Sequence, residues 1–157
     1  PKRRFVLHIV GGGKVVEEEK TRVSHSIVSD HVIFHGPLVG AALQVIFNQV
    51  TLAIDVCDGE EQGVFLSSSL KTREYVAQGL PVVGAIEIDM SRSMKEYFYK
   101  FKDTRTINVH EMIEFHDTLY HNEHEYHTIP KKIREHARKV CDIHVVMRPV
   151  IAFFQER

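Results

Sequence analysis

Apolar and polar positions along the chain fall into two alternating textures. Short, nearly continuous apolar runs rich in β-branched residues occupy residues 4–10, 30–36, 50–56 and 81–85, and a further run covers 97–101. Runs of this length and make-up fit strands buried on both faces, as in a parallel sheet. Between them lie stretches with helical spacing. Residues 14–28 place Val16, Val23 and Ile27 near one face and Glu17, Glu18, Lys20 and Arg22 on the others. Residues 38–48 offer Leu43, Ile46 and Phe47 for burial, and residues 67–78 form a helix that Gly79 stops. Strands alternating with helices of this length make βαβ units, so the expected fold is α/β, a Rossmann-like doubly wound parallel sheet.

The last third of the chain is helical. Asn108 with Glu111 makes a capping box, bracketed by the staple Ile107–Met112, and opens a helix to about His121. A second helix starts near Pro130 and buries Ile133, Ala137, Val140 and Cys141. A third starts near Asp142, and Pro149 bends or restarts it before Val150, Phe153 and Phe154. No repeat, linker or low-complexity stretch interrupts the chain. Its 157 residues, 43% hydrophobic and 26% charged, therefore read as one soluble domain spanning 1–157.

Charge and cysteine content exclude more than they propose. A formal net charge of -1 supplies no field for nucleic acid or an anionic membrane surface. Cys57 and Cys141 have neither a metal-ligand nor a redox spacing, so two free thiols in a reducing compartment are expected. Signal-peptide and membrane-span patterns are lacking. The chain opens on Pro1 without an initiator methionine, which reads as a piece of a longer protein.

In a doubly wound sheet, ligands sit beyond the carboxyl ends of the strands. Gly11–Gly13, Gly36–Gly40, residues 57–69 and residues 85–89 fall there. The most informative stretch begins Ser67-Ser68-Ser69-Leu70-Lys71-Thr72-Arg73-Glu74. Three serines opening a helix bring hydroxyls and unpaired N–H groups to its positive end, an anion site suited to a diphosphate. Glu74 lies one turn further along, where a carboxylate can accept hydrogen bonds from the vicinal hydroxyls of a ribose. The plainer alternative is an N-cap beside a surface Lys71–Glu74 pair.

The run from Ser69 to Val83 resembles the C-terminal domain signature of family 4 (group 1) retaining glycosyltransferases of GT-B fold, especially those making bacterial surface polysaccharides. Leu7 to Gly13 and then Val32 to Leu38 resemble that family's preceding strands in order and spacing, and the likeness continues loosely through the helical tail. The resemblance implies a nucleoside diphosphate sugar as donor and transfer to an acceptor hydroxyl with retention. It assigns the ribose contact to Glu74 and the pyrophosphate-facing loop to Ser67, Ser68 and Ser69. Lys71 would reach phosphate, while Arg73 would be a structural ion-pair partner. Gly11, Gly12 and Gly13 would border the donor cleft, and Gly36, Pro37 and Leu38 would line the nucleobase. The catalytic residues stay unassigned, because the first glutamate of the family's E-x7-E motif falls at Leu66.

The same resemblance places one further strand and helix ahead of Phe5, carrying an Arg and a Lys that neutralise pyrophosphate. Arg3, Arg4 and Lys14 do not occupy matching positions. An N-terminal acceptor domain is likewise expected in the full enzyme. The present chain alone is expected to bind donor weakly, to be inactive in transfer, and to self-associate through exposed strand edges. No cofactor and no metal is expected, and no Asp-x-Asp motif occurs. The full enzyme would be cytoplasmic, peripheral at the inner membrane face.

Other signals carry other classes. Gly11-Gly12-Gly13 after a strand hints at an NAD-linked enzyme, but Val16 stands where the third glycine belongs. A stand-alone nucleotide-binding module is the remaining alternative. His121, His124 and His127, with His110, His116, His136 and His144, have metal-like spacing without a completing cysteine, and a solvated helix junction is expected. Asp58, Glu60 and Glu61 could act as acids or bases, though a solvated loop fits them better. Residues 90–94 are expected to form a mobile loop over the same rim.

Overall fold

The computed structural model describes residues 5–55, 57, 63–102 and 107–155. Asp58, Glu60 and Glu61 lie outside them. The chain divides into two compact units, Pro1–Val50 and Thr51–Arg157. It is α/β throughout, with parallel strands in small sheets.

In the first unit, β1 (Leu7–Ile9) pairs in parallel with β2 (Val32–Phe34), with His8 opposite Ile33. Between them runs α1 (Lys14–Ser24), and α2 (Gly40–Phe47) follows β2. The helix expected over 14–28 stops early because side chains compete for its last carbonyls. The Ser24 hydroxyl donates to the Thr21 carbonyl, the His25 ring contacts the same oxygen, and the Ser26 hydroxyl donates to Val23.

The second unit holds two small parallel sheets. β3 (Ala53–Ile54), β5 (Val82–Gly84) and β7 (Phe98–Lys100) line up in the order β3-β5-β7. β4 (Leu66–Ser67) pairs with β6 (Glu87–Ile88), a ladder that the hydrophobic pattern does not announce. The helices are α3 (Leu70–Gln78), α4 (Val109–Leu119), α5 (Glu125–Val140), α6 (Ile143–Val146) and α7 (Arg148–Gln155). Asn108 caps α4 as expected, accepting from the His110 N–H. Asp142 caps α6, and the helix restarts around Pro149. α5 begins earlier than expected, at Glu125, whose carboxylate accepts from the His121 N–H at 2.6 Å. Pro130 thus lies inside the helix, where its missing N–H costs one bond.

The core lies in this second unit. Val76 of α3, Val82 and Val83 of β5 and Ile133 of α5 are fully buried, with Met94 beside them in that class. α3 packs mainly on α5. Gly79 closes α3 in the left-handed conformation (φ 83°), and a Cβ there would meet the Pro130 carbonyl oxygen at 2.5 Å. Among the described residues, no helix is long and apolar enough to cross a membrane.

Candidate functional site

The start of α3 carries a cluster of polar side chains. Ser69 is the N-cap, accepting from the Thr72 N–H at 3.1 Å, and the Ser69 and Thr72 hydroxyls lie 2.7 Å apart. The Thr72 hydroxyl donates to Oδ2 of Asp55, which follows β3 at its carboxyl end. Lys71 Nζ lies 3.0 Å from Asp55 Oδ1. That ammonium approaches off the hydrogen-bonding direction, so Oδ1 has an ionic contact but no hydrogen bond. The Asp55 side chain is 1% exposed and that of Lys71 45%. A carboxylate this deep is tolerable because the helix start, a hydroxyl and an ammonium all face it.

A second carboxylate closes the other side. Asp89 accepts from Arg73 Nη2 at 2.6 Å and from the Ser68 hydroxyl at 2.9 Å, while its N–H donates to the Ser67 carbonyl. Partial burial pushes the Asp89 carboxyl up, but the bonds from Arg73 and Ser68 outweigh this and hold it below the usual carboxylate range. Tyr75, half-buried beside the charges of Asp55 and Glu74, has its phenol pushed up to about 12, mainly by desolvation.

The three serines expected at the helix start have different places in the structure. Ser67 belongs to β4, Ser68 is committed to Asp89, and only Ser69 caps the helix. The reason is that two carboxylates arrive from distant segments and take up the donors first. Lys71 is at the helix start but already paired with Asp55. Arg73 is the ion-pair partner expected of it. Glu74 is exposed on α3 and makes no hydrogen bond or ion pair among the described residues. Asp55 and Asp89 were not foreseen as site residues. A lone carboxylate near the end of the apolar run 50–56 was the available signal for Asp55, and Asp89 closes residues 85–89, one of the segments expected beyond the strand ends.

The other expected site residues meet one another in the first unit. The Gly11 N–H donates to the Gly36 carbonyl at 2.9 Å, and the His35 N–H donates to Ile9. A side chain at Gly12 would touch the Pro37 ring. Gly11 and Gly13 hold φ of 143° and 115°, values that favour glycine, while Leu38 is half-buried. Beside this turn, His8 Nδ1 and His35 Nε2 lie 2.9 Å apart in stacked rings. Burial and the neighbouring His35 hold the His8 imidazole below its ordinary value.

At the opposite end of β3, the Thr51 hydroxyl lies 3.1 Å from His116 Nε2, and Asp117 contacts Nδ1 at 3.3 Å. This chain resembles a hydrolytic triad in composition only. His116 is buried beneath Tyr120, with ring centroids 4.7 Å apart, and acts as a core histidine tying α4 to the β3 entry. His121, His124 and His127 are exposed. Among the described residues, no three His, Cys, Asp or Glu side chains are placed to hold a metal ion. No protein-family model matches the chain, and no curated protein matches it either.

Proposed function

We propose that the chain is the donor-binding half of a retaining glycosyltransferase, taking the phosphates of a nucleoside diphosphate sugar at the start of α3 and the ribose at Glu74. The observation that carries this is the α3 start itself. Asp55 anchors the Lys71 ammonium in the first helical turn while much of the Lys71 side chain stays exposed, and the Glu74 carboxylate, without a hydrogen bond or ion pair among the described residues, follows three residues later. Lys71 can bridge the buried carboxylate and an incoming phosphate, and the helix start adds unpaired N–H groups. Because Asp55 already offsets Lys71, the cluster supplies little net positive charge. Weak binding by this chain alone follows, with further cations coming from the strand that the resemblance puts ahead of Phe5.

The finer fold assignment belongs to the same proposal. In a common doubly wound strand order, 3-2-1-4-5-6, the second strand pairs with the third, and the fourth, fifth and sixth lie side by side. The parallel β1–β2 pair and the parallel β3-β5-β7 sheet support that reading. The first strand of that order has no counterpart among the described residues.

Calorimetric titration with UDP, GDP and NAD tests the assignment. A nucleoside diphosphate should bind and NAD should not. Glu74→Ala should abolish that binding while changing stability by less than about 0.5 kcal/mol, as for an exposed side chain. Undiminished affinity in the variant would remove Glu74 as the ribose ligand.

A further inference from the structure

The last two helices carry an apolar stripe that faces solvent. Met147 takes the chain from α6 into α7 on helical backbone. Its N–H donates to the Ile143 carbonyl and its carbonyl accepts from the Ile151 N–H, each at 2.9 Å. At about 3.6 residues per turn, Ile143, Val146, Met147, Val150, Ile151 and Phe154 fall within about 140° of arc. All six are exposed, from 37% at Met147 to 72% at Phe154, and so is every residue of α7. Val145, on the opposite side, is half-buried. A helix as short as α7 is marginal in water unless its apolar face is covered.

Size and charge indicate the cover. At roughly 200 Å² per free residue, the six leave about 600 Å² open, most of the ~800 Å² that each partner gives to a standard interface. From residue 143 to 155 the one formal charge is Arg148, which lies off the stripe. A helix resting on an anionic lipid surface carries several Lys and Arg on its polar face, and one is too few. The same lack of charge lets the stripe meet a copy of itself without repulsion. It also fits itself in reverse, because the bulky Phe154 ends it and the smaller Ile143 and Val146 begin it.

We propose that α6 and α7 form a twofold interface with a second copy of this chain, the helices antiparallel and crossing between Met147 and Val150. Each Phe154 ring then lies over Ile143 and Val146 of the other copy, as an isologous contact requires. The interface depends neither on the α3 start nor on a bound nucleotide, and it uses a surface other than the strand edges.

Sedimentation velocity over a concentration series tests the proposal. The mass should rise from one chain toward two across the micromolar range, the weak end for interfaces near this size. Val150→Glu with Phe154→Glu should weaken association roughly tenfold or more, since like charges then face each other across the axis. The melting temperature should hold, because both side chains are exposed. A disulfide trap reads the geometry independently. Under mild oxidation Val150→Cys should link to its own counterpart, while Ala152→Cys, on the opposite side of α7, should not. The parent chain, with Cys57 and Cys141 half-buried, sets the background. A single-chain mass up to about 1 mM would overturn the proposal. So would a dimer that survives the double substitution, as one built on strand edges would, or equal cross-linking at Ala152.

Discussion

Both units of the chain join short parallel strands to helices, but they treat their apolar side chains differently. In Pro1–Val50 no described residue is buried. Ile33 of β2 is 43% exposed and Val39, at the α2 N-cap, 84%, although α2 carries no charged residue at all. In Thr51–Arg157, by contrast, the middle strand of the three-stranded sheet and the facing side of α5 are sealed from solvent. Local pattern is thus enough to specify an element, while burial depends on having a second layer to meet. The second unit has one in α3 and α5. The first is held by its ladder and glycine turns, and should open more easily in amide exchange.

The largest test of that contrast is a matched pair of truncations. Ile133→Ala should cost about 2–5 kcal/mol in urea denaturation, because a fully buried side chain leaves a cavity. Ile33→Ala should cost less than about 1 kcal/mol, since much of its surface already faces water. Equal losses would break the comparison. Next in size, Ser69→Ala should cost about 1 kcal/mol by removing the α3 cap, read as faster amide exchange at Thr72.

The smallest effect separates the units by pH. The folded His8 value is lowered, so the unfolded chain binds more protons just below pH 6.5, and the contribution of His8 to stability is lost as pH falls from there. The folded Asp89 value is also lowered, but from 3.8, so its contribution persists above that pH and is lost only as acid reaches the depressed value. Acidification should therefore perturb the amides around β1 before those around Ser67–Asp89. His8→Gln should erase the earlier transition, and simultaneous loss in both regions would contradict the ordering.

The alternation of strands and helices was legible in the sequence because continuous apolar runs and helical spacing are local properties. Boundaries were less so. Among the described residues of the run 4–10 the strand covers Leu7–Ile9, and Ser24, His25 and Ser26 end α1 through contacts that hydropathy does not encode. The β4–β6 ladder was invisible because two-residue strands carry no periodicity. At the site, the helix start and its serine cap followed from the serine run. Asp55 and Asp89 did not, because they reach Thr72 and Arg73 across 17 and 16 residues, beyond any local motif.

α3 is clamped at both ends, by Asp55 on its first turn and by α5 on its last, where Arg134 donates to the Gln78 carbonyl at 2.9 Å beside the space that only Gly79 can leave. Contacts at both ends oppose sliding of the helix along its axis. An anion docking at Lys71 would be registered by one side-chain torsion and by the share of charge left to Asp55, while the scaffold stays in place. Signals from that end would leave α5 exchange rates untouched, making the helix an anvil and not a piston.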